Sequence, residues 1–191
     1  MVKNSQELKL KATDILGRKI LIIGESGSGK TKLAASLAED LMATQRPDRI
    51  TIIDFAPKRI EHTGGKLTDY LSMPVGVRYL APREVQTPRL AGTSQEQVLQ
   101  LARLNRKLMD PLLGQFIKNA TEVLIMNDIT LYLHLGRLER VLQCTRLAKT
   151  FLGTAYYGFK LSKDMGTGIS QREKQLTDEL AAFMDQVVRV S

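Results

Sequence analysis

Two hydrophobic periods alternate along this chain. Short apolar runs rich in β-branched residues fall at Arg18–Ile23, Arg49–Phe55, Val77–Leu80, Thr121–Met126, Thr150–Tyr157 and Gln186–Val190. Runs of this length, bounded by turn residues, predict buried strands. Between them, apolar positions recur every three or four residues. Leu33, Leu37, Ala38 and Leu41 mark a helix over Lys32–Met42, and Val98, Leu101, Leu104, Leu108 and Leu112 mark a long one. Two overlapping capping signals, Thr93 with Glu96 and Ser94 with Gln97, open the long helix. Pro111 is expected to kink it or split it in two. Another helix is expected from about Leu135 to Lys149, and a Ser170–Glu173 capping box opens the last, which runs to about Met184.

Residues 1–17 read as a short amphipathic lead-in. Residues 56–76, with Pro57, Gly64, Gly65, Pro74 and Gly76, read as a long loop or small helical insertion, and 82–93, with Pro82 and Pro88, as irregular. Strands that alternate with helices imply right-handed crossovers and a mainly parallel sheet covered on both faces. The expected fold is α/β, a three-layer sandwich about a mainly parallel central sheet of five to six strands. It forms a single domain over residues 1–191, with a loop-rich insertion around 56–93.

Composition narrows the class. The chain has 191 residues, 43% hydrophobic and 25% charged, enough for one domain with a substantial core. Its longest apolar stretches, Ile20–Ile23 and Val123–Met126, are far too short to span a bilayer. The stretch Met1–Leu8 lacks the apolar core of a signal peptide. Cys144 is the single cysteine, so no internal disulfide forms and a reducing cytoplasm is the expected setting. Cys144 itself is expected to be a small buried residue rather than a nucleophile. The net charge of +8 is spread along the chain without interleaved aromatics, so a solvated basic surface is expected rather than a nucleic-acid groove.

The candidate chemistry lies between the first strand and the first helix. Gly24, Glu25, Ser26, Gly27, Ser28, Gly29, Lys30 and Thr31 fill the G-x-x-x-x-G-K-[ST] template, which arises by chance on the order of once in a hundred sequences of this length. The glycines let backbone N–H groups turn inward toward phosphate oxygens, and the helix that begins near Lys32 adds its partial positive charge. Lys30 can reach the β- and γ-phosphates, and the Thr31 hydroxyl can hold Mg²⁺. A dinucleotide fingerprint fails, because Ser26 or Lys32 falls in a glycine slot. A nucleophile elbow would need glycine at Ser28. The segment resembles the Walker A loop of the P-loop NTPase superfamily. That resemblance implies a phosphate cradle over Gly24–Lys32, with ATP and Mg²⁺ as its ligands.

Members of that superfamily hold the metal with a carboxylate at the end of an apolar strand. Asp128 and Asp54 both qualify, and Asp128 is placed ahead. Asp128 follows a strand far down the chain, as in P-loop ATPases whose two motif strands are separated by another. Asp54 ends the very next strand, as in kinase-like groups. A carboxylate in either place also serves to cap the next helix or turn. Related ATPases often carry Asp-Glu where this chain has Asn127-Asp128, so fast hydrolysis is not expected. Catalytic roles fall to Lys30 and Asp128, with Thr31, Asp128 and Asp54 as the metal candidates.

Weaker candidates are Thr154 as a γ-phosphate sensor, Arg137, Arg140 and Arg146 as arginine fingers, and the Lys163–Gly168 loop with Arg172 and Lys174 as a lid. His62 and His134 are isolated, which argues against structural zinc. Ser162-Lys163-Asp164 does not make a guanine-reading motif, and the D-x-x-G segment Asp14–Gly17 precedes the loop, so ATP is expected over GTP. The leading function is a slow ATPase whose nucleotide state controls a protein partner. A small-molecule kinase and a nucleic-acid-associated ATPase or motor module are the alternatives, and an oligomer is compatible with each.

Overall fold

The structure, a computed structural model, describes residues 10–58 and 65–191. His62, Gly64 and the Met1–Leu8 stretch lie outside the described residues. One six-stranded sheet comprises β1 (Lys19–Gly24), β2 (Ile50–Asp54), β3 (Arg78–Leu80), β4 (Val123–Asn127), β5 (Thr150–Tyr156) and β6 (Gln186–Val190). Its spatial order is β3-β2-β4-β5-β1-β6, and every pairing is parallel. The α/β sandwich expected from the alternating periods is the fold.

Strand side chains point alternately to the two faces, and each face has its own core. Leu21 and Ile23 of β1 and Leu124 and Met126 of β4 meet α4 (Gln95–Lys118), α6 (Leu138–Leu147) and α7 (Ile169–Ala182). Ile20, Ile22, Val123 and Ile125 face the other way, onto α1 (Ala12–Ile15) and α2 (Lys30–Thr44). Between β3 and α4 stands α3 (Pro88–Ala91), a single turn with proline at its first position, where the missing N–H costs nothing. The proline pattern over 82–93 predicts an irregular segment there, and one helical turn stands within it.

Pro111 does not divide α4. It lies on the exposed side of the helix, and buried residues continue on either side of it at Met109 and Leu113. Packing along the whole helix therefore outweighs one lost backbone bond. The buried stripe is Val98, Ala102, Asn105, Met109, Leu113 and Phe116, whereas the expected Leu104 is exposed. Asn105 turns inward because its carboxamide meets both the N–H and the carbonyl of Gln86, at 2.8 and 2.9 Å.

The helix expected over Leu135–Lys149 forms as α6, and a separate turn that the periodicity does not predict, α5 (Thr130–Leu133), precedes it on the other side of Gly136. The chain bends there around Tyr132, whose carbonyl accepts the Gly136 N–H at 2.7 Å and whose ring stacks on Phe55. Ser170 does not cap α7. Gly168 does, at φ 77°, and Glu173 points into the protein.

Cys144 is fully buried on α6, and burial pushes its thiol up to about 12. A thiol reagent at pH 8 is expected to leave it unlabelled in the native protein over a time that labels it completely in denaturant. Rapid stoichiometric labelling of the native protein would contradict that burial.

Candidate functional site

The loop after β1 owes its shape to two glycines. A Cβ on Gly24 would overlap the carbonyl oxygen of Val190 on neighbouring β6. Gly29 caps α2 at φ 88°, a left-handed conformation that glycine adopts without steric cost. The N–H groups of Lys30, Thr31 and Lys32 open α2, so they have no acceptor within the helix, and the helix dipole adds positive charge at the same point. The Ser28 hydroxyl is buried there without a partner. Lys30 Nζ donates to the Glu25 carbonyl at 2.6 Å. The Glu25 carboxylate accepts from the N–H groups of Phe159 and Lys160 and from the Tyr156 hydroxyl, which fastens the loop to the segment after β5.

This loop walls a cavity of about 640 Å³, shared with Thr31, Asp128, Thr130, Thr154 and Arg89. Asp128 leaves β4 at φ 56°, a region aspartate tolerates better than most residues. Its N–H donates to Thr154 Oγ1 at 2.8 Å, and its carboxylate accepts from Thr130 Oγ1 at 3.1 Å. Burial raises the Asp128 carboxyl above its ordinary value, opposed by the nearby Lys30 ammonium and the Thr130 hydroxyl. Burial also lowers Lys30, opposed by Asp128 and Glu25. Each partner thus favours the charged form of the other. Asp69 also lines the cavity, but its carboxylate accepts the Lys66 N–H at 2.9 Å.

Asp54 occupies a different place. Its strand is separated from β1 by both β4 and β5. The carboxylate is fully buried and accepts from Asn127 Nδ2 (3.0 Å), the N–H groups of Ala56 (3.1 Å) and Leu67 (2.7 Å), and the Tyr79 hydroxyl (3.0 Å). It does not line the cavity. Burial pushes its carboxyl up, while the four donors pull it down. Asn127 is also fully buried, and its Oδ1 accepts from Thr154 Oγ1 at 2.8 Å.

The arginines singled out from the sequence lie elsewhere. Arg137 is exposed beside Glu139, Arg140 stands by Asp110, and Arg146 covers the Phe183 ring. Arg172 donates to the Gly136 carbonyl, and Lys174 lies over Tyr157 and Phe159. The cavity instead holds Arg89, from α3, which pairs with Glu173; His134 bonds the same carboxylate. Nothing local in the sequence marks Arg89, and the spacing of Glu173 from Ser170 imitated a helix cap. Among the described residues no group of three or more His, Cys, Asp or Glu could hold a metal, and no helix is long and apolar enough to cross a membrane.

A strand, a glycine loop curled before a helix, and a further strand inserted between β1 and β4 make this a P-loop NTPase-like fold. No family model matches the chain, and no curated protein matches it. Solved structures resemble it at low identity. A type III secretion system ATPase of pathogenic bacteria is 12% identical, with a TM-score of 0.46 over 92% of this chain and 51% of that one. This chain thus spans about half the length of that ATPase. The flagellar accessory protein FlaH of Methanocaldococcus jannaschii is 12% identical, with a TM-score of 0.47 over 91% and 71%. PH0250 of Pyrococcus horikoshii OT3 is 7% identical, with a TM-score of 0.38 over 95% and 88%.

Thr154 joins two strand ends through one hydroxyl. Thr154→Val leaves Asn127 Oδ1 and the Asp128 N–H without that partner, and is expected to cost about 1–3 kcal/mol in urea unfolding. An unchanged midpoint would show that the bridge carries no stability.

Proposed function

We propose that this protein binds Mg²⁺-ATP in the Gly24–Lys32 cradle and hydrolyses it slowly, its nucleotide state serving to control a protein partner. The observation that carries this reading is the convergence of Lys30, Thr31 and Asp128 on one cavity. The donor set fits the ligand. The partnerless Ser28 hydroxyl and the opening N–H groups of α2 suit phosphate oxygens. The Thr31 hydroxyl and Asp128 carboxylate are the oxygen ligands a hard cation takes, directly or through water. Bound Mg²⁺ supplies neutralisation of the β- and γ-phosphates.

Asp128 is assigned to the metal rather than Asp54, whose oxygens are already taken by four donors away from the cavity. Lys30 holds the β- and γ-phosphates, and Thr130 and Thr154 fix the turn that presents Asp128. Asn127 fills the first acidic position of the usual motif, but it faces Asp54 and Thr154. Asp128 alone must therefore serve the metal and the attacking water, and this double duty is the reason to expect slow turnover. A second cavity beside Asp128, of about 80 Å³, is lined also by Ser26, Leu131 and His134. It has room for a few waters. Sites for small molecules are usually about 300 Å³ or more, so this chamber alone would not hold an acceptor.

Lys30→Ala is expected to abolish Mg²⁺-ATP binding in titration calorimetry while leaving circular dichroism unchanged. Retained ATP affinity in that variant would overturn the reading. Turnover stimulated by a small-molecule acceptor or by DNA would replace hydrolysis with kinase or motor chemistry. The two carboxylates separate in a second comparison. Asp128→Asn should weaken Mg²⁺-dependent binding at least about tenfold without loss of stability. Asp54→Asn should destabilise the fold by about 1–3 kcal/mol and leave nucleotide affinity unchanged. The reverse pattern would move the metal to Asp54.

A further inference from the structure

Arg89 reaches the phosphate cavity from α3, outside the cradle, yet its side chain is only 6% exposed. Its two terminal nitrogens donate to the two Glu173 oxygens at 2.9 Å each. The guanidinium lies 4.9 Å from the centre of the Tyr156 ring, and Lys30 Nζ lies 6.0 Å from that centre. One aromatic ring therefore neighbours both cations. Glu173 is held in turn by His134 Nε2 at 2.8 Å, so residues from α3, α7 and the end of α5 meet at one buried carboxylate. A fork on a carboxylate uses two of the five guanidinium hydrogens and leaves three. Arg89 is part of the wall of both the phosphate cavity and the small chamber beside Asp128.

Burying an ion pair is expensive and by itself seldom stabilises a fold. What this one does supply is a guanidinium in a fixed plane, with unused donors, at the border of the two cavities. We infer that Arg89 is a catalytic residue that contacts the terminal phosphate of the bound nucleotide, and that Glu173 and His134 are positioning residues that hold it there. The inference rests on the nucleotide-binding reading above. It adds a way to distinguish ATP from ADP, since only the triphosphate reaches Arg89. It also ties that distinction to α7, which carries Glu173.

The test compares Mg²⁺-ADP with Mg²⁺ and the non-hydrolysable β,γ-imido analogue of ATP, by titration calorimetry on the full chain. Arg89→Ala should weaken the triphosphate analogue by roughly ten- to hundredfold and ADP by less than about twofold. Arg89→Lys should not restore the loss, because an ammonium cannot keep the fork. Glu173→Gln should give a smaller loss confined to the triphosphate, which a merely structural role would not produce. Equal losses for both nucleotides, or none, would overturn the inference while leaving the cradle assignment intact. Failure of the unaltered protein to bind either nucleotide would overturn the cradle assignment itself. If Arg89→Ala does not fold, the double variant Arg89→Leu/Glu173→Gln removes both charges together and is judged by the same ratio.

Discussion

A carboxylate buried away from water must be surrounded by donors, and meeting that requirement at Asp54 organises one end of the sheet. Its four donors come from different places. Ala56 follows its own strand, Leu67 belongs to the insertion, Tyr79 to β3 and Asn127 to β4. Having donated to Asp54, the Asn127 amide presents its oxygen to Thr154, and the Thr154 oxygen accepts the Asp128 N–H. The turn that carries Asp128 is therefore the last link of a relay that begins at Asp54. Hydrogen-bond chains in a low-dielectric interior are most stable when every member is satisfied. Asp54 thus supports the strand ends around the site and does not itself line the cavity.

The glycine loop is held from outside as well. Close approach of the β6 backbone leaves no room for a side chain at Gly24, and the Glu25 carboxylate gathers the N–H groups that follow β5. The cradle thus depends on the last two strands of the chain as much as on its own residues. Several basic side chains are likewise engaged: Arg78 hydrogen-bonds Thr51 and Asn119, Arg189 covers Tyr157 and Arg49 pairs with Glu122. A net charge of +8 is compatible with such dispersed use and does not require one polyanionic partner.

Local pattern made the strands, the glycine loop and the layered fold legible, because each depends on a period or motif within about ten residues. It could not order the strands. Asp54 and Asp128 look alike in the sequence, each closing an apolar β-branched run. Only the insertion of β5 between β4 and β1 gives them different surroundings. The period was also misleading where a polar residue joined the core, as Asn105 did in shifting the buried face of α4. Glu173 matched a capping box because spacing records a residue type three positions on, not the direction it faces. Arg89 had no local signal, since its partner Glu173 lies 84 residues away on α7.

The pairing of Arg89 with Glu173 also bears on rate. A free guanidinium would bring a full positive charge to the terminal phosphate, as arginine fingers do. Here the neighbouring carboxylate largely cancels that charge at a distance, so the pair offers direction more than field. On the proposed reading, the net positive potential at bound phosphates would come from Lys30, Mg²⁺ and the start of α2. Charge developing on a third phosphate there would meet oriented donors but little additional cation. Together with the two tasks proposed for Asp128, this would suit a site that recognises a triphosphate more readily than it breaks it.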